Sequence, residues 1–275
     1  MINKIAGLVL TLNEEINISD CIKSLSFTDV VFVYDSNSTD RTVDISEQLG
    51  ATVLKRNFDN YAAQRNAALK SIPKEYDWVL MIDADEFVTP ELQEEILSVI
   101  ALKNNPLSMY RVRRKDFFMG KWIRRSSGYP TWFPRLFKNG EVIVTREINE
   151  EYNASGEVEN LASHLNHYPF SKGLSWWIER HNQYSSMEAK SLTEEFKQAV
   201  PWMLALSKDP VERRKFQKQL IYRLPGRPII VFLALYILRR GFLDGIVGLR
   251  FCKLRMMYES MIDLKIKELN YSKKR

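Results

Sequence analysis

Hydrophobic and polar positions follow two different rhythms along this chain, and the change between them divides it. Over the first hundred residues, short apolar runs at 5–12, 30–34, 52–55 and 79–82 read as strands buried on both faces. Amphipathic segments lie between them: 16–25 has apolar residues at helical spacing, 42–49 stops at Gly50, 61–72 is halted by Pro73, and 90–100 opens with Pro90 directly after Thr89. Strand and helix in alternation predict an α/β fold with a mainly parallel central sheet.

From 109 to 165 that alternation gives way. Aromatic and basic residues gather there, among them Arg111, Arg113, Trp122, Tyr129, Trp132 and Phe133, and turns are expected to carry them. From about His167 the pattern becomes largely helical, with helices predicted over 176–190, 192–206, 210–224 and 245–267. The shifts suggest boundaries at 1–105, 106–168 and 169–275, the last a helical, basic and apolar C-terminal region. The longest apolar stretch, 229–238, falls short of the ~20 residues that cross a bilayer, and Arg239 and Arg240 close it. Basic residues flank it on both sides, from Arg213 to Arg227 and from Arg239 to Arg255. It therefore reads either as a helix on an acidic membrane surface or as a core or subunit-contact helix with a solvated basic rim, which leaves a homo-oligomer open.

Charge widens the choice of partner. Lys and Arg number 40 against 34 Asp and Glu, a net +6 that suits phosphates, acidic lipid or nucleic acid. Cys21 and Cys252 stand far apart in apolar settings, as buried thiols in a reducing compartment do. The opening apolar run leads straight into a polar turn, so no export leader is expected and a cytoplasmic location is.

In a parallel α/β sheet, ligands bind beyond the carboxyl ends of the strands. The polar clusters that follow the predicted strands are 11–15, 35–40 and 83–86, and all three point to one rim. Asp83 and Asp85, two apart at the end of a strand, can share a side. Bare, they repel each other; Mg2+ or Mn2+ with phosphate oxygens would satisfy both, since hard divalent cations take oxygen ligands. The plainer alternative is a turn or helix cap, which also competes for Asp35 and the polar residues after it.

Four strings occur in one order: Gly7-Leu-Val-Leu-Thr-Leu-Asn-Glu-Glu15, Val31-Phe-Val-Tyr-Asp-Ser-Asn-Ser-Thr-Asp40, Gln64-Arg-Asn-Ala67 and Ile82-Asp-Ala-Asp-Glu86. Together they resemble the inverting family-two glycosyltransferases of GT-A fold, a Rossmann-like α/β architecture. Trp132-Phe-Pro-Arg-Leu-Phe137, Arg146-Glu147, His164-Leu-Asn-His-Tyr168 and Gly241-Phe-Leu-Asp-Gly245 make the chain most similar to bacterial lipopolysaccharide core β-1,4-glucosyltransferases.

The resemblance implies that Thr11, Asn13 and Glu14 meet the nucleoside and that Asp35 accepts the uracil N3 hydrogen. It implies that Arg65 faces the diphosphate, that Asp83 touches ribose or metal, and that Asp85 ligates Mn2+ or Mg2+ with His167 as a further ligand. His164 and His181 compete for that last place, and a packed, hydrogen-bonded imidazole is the plainer reading of any of them. Glu147 matches the catalytic base, with Glu150 and Glu151 as alternatives because Arg146 stands where the subgroup has His. Trp132 and Arg135, with Trp122, would form the acceptor platform or belong to the core. The expected reaction moves a hexose, glucose from UDP-glucose, to a lipopolysaccharide core or other cell-surface glycan at the inner face of the cytoplasmic membrane. A polyprenyl-linked oligosaccharide or a protein is the other acceptor considered. A basic nucleic-acid-binding α/β protein would explain the charge, but would set three carboxylates against a phosphate backbone; nucleic acid is not expected as a partner.

Overall fold

The computed structural model describes residues 3–102, 105–145, 151–196, 220, 222–224 and 226–272. Its elements run β1 (Ile5–Thr11), α1 (Ile18–Ser24), β2 (Val30–Asp35), α2 (Thr42–Gln48), β3 (Thr52–Lys55), α3 (Tyr61–Ser71), β4 (Trp78–Asp83), β5 (Glu86–Val88), α4 (Pro90–Ile100) and β6 (Leu107–Phe118). There follow β7 (Lys121–Trp122), β8 (Trp132–Lys138), β9 (Val142–Thr145), β10 (Glu151–Ala154), β11 (Glu157–His167), α5 (Gly173–Glu195), α6 (Arg227–Leu233) and α7 (Gly245–Ser272). Two compact units result: Met1–Phe117 with Tyr129–Ser171, and Phe118–Gly128 with Lys172–Arg275.

In the first unit the sheet order is β3-β2-β1-β4-β8-β6-β11-β5. Strands β3, β2, β1 and β4 are parallel, β8 runs antiparallel to both β4 and β6, β6 and β11 are parallel, and β5 closes the edge antiparallel to β11. Alternate residues of β1 and β4 serve opposite faces. Ile5, Val9, Trp78, Leu80 and Ile82 join Ile18, Leu92 and Ile96 of α1 and α4 in one core, whereas Ala6, Leu8, Val79 and Met81 join Ala68 of α3 and Met109 and Phe137 in another. Both faces are covered, which is why these strands read as unbroken apolar runs. Side-chain caps set two helix starts: Asn60 accepts the Ala63 N–H, and Thr89 accepts that of Leu92 with Pro90 at the first turn.

Two expectations change. Helix α1 begins at Ile18, because Glu14 turns the chain by accepting the N–H groups of Asn17 and Ile18 and leaves Ile16 62% exposed. The 109–165 segment forms extended strands, not mainly turns. Arg113 and Arg114 are tolerated within β6 because aromatic rings of β8, the Glu86 carboxylate of β5 and Asp116 of β6 itself cover them.

The second unit is helical. Ala189 and Leu192 of α5 pack with Ile262 and Ile266 of α7, and Arg227 at the start of α6 forms a buried ion pair with Glu259, Nε to Oε2 at 2.9 Å. The Asp244 carboxylate accepts the N–H groups of Arg125 (2.9 Å) and Ser126 (2.7 Å) and the Ser126 hydroxyl (2.7 Å). Gly248 lies so close to the chain before it that a Cβ there would stand 2.4 Å from the Gly241 carbonyl oxygen. The predicted helix over 176–190 falls within α5, which continues into the start of the 192–206 prediction; residues 197–219 lie outside the described residues. Among the described residues no helix is long and apolar enough to cross a membrane.

Candidate active site

The three polar clusters meet at the carboxyl rim of β1, β2 and β4. Thr11 ends β1 opposite Asp35 at the end of β2, and its hydroxyl donates to Asp35 Oδ1 at 2.8 Å. Asp35 is fully buried and also accepts the Ser38 N–H at 2.8 Å and the Ser38 hydroxyl, so it holds the turn after β2. Asn13 adopts a left-handed backbone (φ 55°) and accepts the Thr39 N–H at 2.8 Å, while the Glu14 N–H donates to Thr42 Oγ1 at 2.7 Å. The loops after β1 and β2 are thus stitched into one polar shelf.

Beside this shelf, Asp83 sits between two guanidinium groups. Arg65 Nη2 of α3 lies 3.1 Å from Oδ1, and Arg135 Nη2 of β8 lies 2.7 Å from Oδ2. Partial withdrawal from water works to raise the Asp83 carboxyl, but Arg65, Arg135 and Arg114 outweigh it and hold it well below the usual carboxylate range. Arg135, expected at the acceptor, is instead buried beneath the site. Its Nε and Nη2 reach Glu86 at 2.7 and 2.8 Å, so one guanidinium clamps Glu86 to Asp83 across the turn. Glu86 is buried too, and further accepts Arg114 Nη1 at 3.3 Å and the Asp83 N–H at 3.2 Å.

Asp85 faces the other way. Its Oδ2 is 3.3 Å from His167 Nε2, and His167 Nδ1 is 2.7 Å from Asp116 Oδ1. The register brings this about: β11 pairs His167 with Glu86 of β5 on one side and with Asp116 of β6 on the other, and the Tyr168 N–H donates to the Asp85 carbonyl at 2.9 Å. Burial and Arg114 oppose a charge on His167, yet Asp85 and Asp116 prevail and raise it to about 9.

This geometry tests the fit of a divalent cation. With its Nδ1 proton donated to Asp116, His167 turns an Nε2 lone pair toward a carboxylate, an arrangement that is favourable only with a cation between them, either the imidazolium proton or a metal. Asp85 and His167 therefore suit a metal, with Asp116 orienting the imidazole. Each oxygen of Asp83 accepts one arginine and keeps a second lone pair, so Asp83 can still contribute to a cation beside Asp85. Among the described residues no group of three or more His, Cys, Asp and Glu is gathered for a metal. Two protein ligands leave room for phosphate oxygens and water, as Mg2+ and Mn2+ sites in phosphate chemistry do.

Trp132 opens β8 under the Arg113 guanidinium, 5.3 Å from ring centroid to Cζ, with Tyr129 on the same cation at 5.8 Å. His164 pairs with Arg113 in the β6–β11 register, and burial lowers its pKa. His181 stacks on Trp177 in the second unit, at 3.6 Å between centroids. Glu147, with Arg146 and Glu150, lies outside the described residues; Glu151 begins β10. Sequence reasoning gave no role to Glu86, Arg114 or Asp116. A lone acid in the basic string Arg113-Arg-Lys-Asp116 was the available signal for the last.

A domain model of glycosyl transferase family 2 matches residues 8–153, more than half of the chain, and takes in the carboxyl ends of β1, β2 and β4 but not His167. The chain belongs to glycosyl transferase family 2, and it is a glycosyltransferase of GT-A type. It is 30% identical over 258 residues to an uncharacterized glycosyltransferase of Rickettsia typhi, covering 89% of this chain and 80% of that one. It is 24% identical over 260 residues to the lipopolysaccharide core biosynthesis glycosyltransferase LpsC of Rhizobium meliloti, covering 89% and 87%. The fold matches the mannosyltransferase PcManGT of Pyrobaculum calidifontis, solved with GDP-Man and Mn2+, at a TM-score of 0.54 and 13% identity, covering 96% of this chain and 86% of that one.

Proposed function

We propose that this glycosyltransferase is an inverting, metal-dependent enzyme that moves a hexose, glucose from UDP-glucose, onto a lipopolysaccharide core or another cell-surface glycan at the inner face of the cytoplasmic membrane. The observation that carries the reading is the cluster Asp85–His167–Asp116 beside the arginine-clamped Asp83, at the strand ends where a family-two fold takes its donor. LpsC, similar over most of its length, supports the choice of acceptor class.

In this reading Thr11, Asn13 and Glu14 line the nucleoside shelf and Asp35 meets the uracil edge. Asp85 and His167 hold Mn2+ or Mg2+, with Asp83 at the ribose or metal, and a bound metal supplies charge to offset that on the diphosphate. Arg65 stands near enough to share the same task through charge-assisted bonds. A carboxylate takes the proton from the acceptor hydroxyl as its oxygen bonds to the anomeric carbon from the face opposite the diphosphate. The bond to the diphosphate oxygen breaks with its electron pair, and no enzyme-bound sugar forms. Glu147 is assigned this proton, with Glu150 and Glu151 as the neighbours that compete for it, and Trp132 flanks the acceptor.

Calorimetry with UDP and Mn2+, followed by mass-spectrometric screening of donor sugars with Glu147→Gln and Glu151→Gln, tests the proposal. Binding that requires Mn2+ and is lost in Asp85→Ala is expected, with Glu147→Gln binding donor but not transferring it. UDP binding indifferent to Mn2+ and to Asp85→Ala refutes the metal assignment, and full turnover in Glu147→Gln moves the base to its neighbours.

A further inference from the structure

The second unit carries an apolar, basic-rimmed surface that the transfer reaction does not use. Helix α6 continues through a π-helical turn (Ala234–Leu238), reverses at Arg239 and Arg240, the latter with φ 58°, and returns through a 3-10 turn (Gly241–Asp244) into α7. The two arms pack on each other, with the Tyr236 and Phe242 rings edge to face at 6.3 Å, so the segment is a folded helical hairpin.

Its outer side is apolar. Leu238 at the tip is 80% exposed, Ile229 and Ile246 60%, Leu243 57% and Ile237 54%, and Phe242 is exposed beside them. Monomeric soluble proteins rarely leave so many large apolar side chains together in water. Along the hairpin the exposed charge has one sign: Arg239, Arg240, Arg250 and Lys253 are exposed, and Asp244, the only acid in the sequence between Leu220 and Tyr258, is buried among backbone donors. The Arg239 side chain reaches the Gly128 carbonyl and that of Arg250 reaches Met119 Sδ.

We infer that the hairpin tip at Leu238 and Leu243 docks in one leaflet of an anionic lipid bilayer, with Arg239, Arg240 and Arg250 at the phosphate level. Charge decides between this and a second copy of the chain. A two-fold contact through the same patch brings the arginines of one copy against those of the other, whereas acidic headgroups complement them. Length agrees: from Arg227 to Leu238 the arm is about 18 Å long at 1.5 Å per residue, too short to cross a ~30 Å hydrocarbon core, and the arginines at its turn hold the tip at the interface. The apolar tip supplies insertion and the guanidinium groups supply attraction to acidic lipid, the two contributions that interfacial helices combine.

Co-sedimentation of the full chain with vesicles of phosphatidylglycerol and phosphatidylethanolamine, against phosphatidylcholine alone, tests this with no nucleotide or sugar present, so the outcome is independent of the proposed transfer reaction. The wild type should partition onto the anionic vesicles and weakly onto the zwitterionic ones. Leu238→Asp with Leu243→Asp should lower partitioning by roughly tenfold or more at an unchanged circular dichroism spectrum, and Arg239→Gln with Arg250→Gln should remove the preference for anionic lipid. Wild-type protein that stays in the supernatant, or a leucine double variant that partitions undiminished, overturns the inference. A concentration-dependent dimer abolished by the leucine variant, without vesicle binding, assigns the patch to a second copy and overturns it as well.

Discussion

Replacing Glu86 by Gln removes one negative charge and little volume from the most enclosed ion pair of the site. The Glu86 carboxylate, buried in the first unit, accepts Arg135 twice at 2.7 and 2.8 Å, Arg114 at 3.3 Å and the Asp83 N–H at 3.2 Å. In the variant an amide NH2 must replace one of these oxygens, setting donor against donor beside Arg135. Breaking a buried ion pair costs about 3–5 kcal/mol, and Asp83, 2.7 Å from Arg135, offsets part of it, which leaves about 3 kcal/mol. For a unit of this size that is a fall of about 6–12 °C in melting temperature. Differential scanning calorimetry of the wild type, Glu86→Gln, Arg135→Met and the double variant measures both the loss and the coupling, for which about 2 kcal/mol is expected. The variant should also bind UDP more weakly, because Arg135, which holds Asp83, loses one of its two contacts with Glu86 whichever way the amide is turned. A Glu86→Gln protein that melts within 2 °C of the wild type, or a coupling near zero, refutes the claim that Glu86 anchors the Asp83 turn.

Asp116→Asn should weaken Mn2+-dependent UDP binding by about 10–100-fold in calorimetry, as loss of a ligand-orienting carboxylate does, and unchanged affinity would remove Asp116 from the site. Asp244→Ala leaves the N–H groups of Arg125 and Ser126 without their acceptor and should destabilise the second unit by about 3 kcal/mol in urea denaturation; a loss below about 1 kcal/mol contradicts the anchoring role. His181 is lowered to about 4 by burial, aided by Arg255 and Arg180 against the hydrogen bond to the Trp177 carbonyl. The unfolded chain therefore binds a proton near pH 6.5 that the folded chain refuses until about pH 4, so stability is complete above pH 6.5 and falls as pH drops across that window. With His181 only partly shielded from water, about 2 kcal/mol is at stake, and His181→Phe should flatten this part of the profile measured by tryptophan fluorescence.

The fold was legible wherever burial on both faces wrote itself into the chain. Strands β1, β2 and β4 show as apolar runs because both their faces are covered, and the polar residues after each run mark the rim without any knowledge of packing. Strands β6 and β11 were not legible as such. Their basic and aromatic residues resemble a solvated turn until Glu86 of β5 and Phe133 of β8 arrive to pair with them. Arg135 shows the same limit from within the site. Its guanidinium beside Trp132 suggested an acceptor platform or a place in the core, and its burial and its partners, 49 and 52 residues away in the chain, make it the clamp on Asp83 and Glu86. Asp85 and His167, proposed together from the family pattern, do stand 3.3 Å apart, but the third member of that group, Asp116, depended on a strand register no local pattern encodes.

Strands β4 and β5 are consecutive in the chain, with only Ala84 and Asp85 between them, yet β8, β6 and β11 separate them in the sheet order. That connection has no slack. One residue added between Asp83 and Glu86 would invert the side chain of Glu86 relative to β11, or slide β5 by one pairing and carry Asp85 away from His167. Point substitutions at these positions change chemistry, but insertions change which face the chemistry is on. In variants selected for transfer activity from a library of insertions, the four-residue span from Asp83 to Glu86 should therefore be fixed in length even where its flanking loops are not.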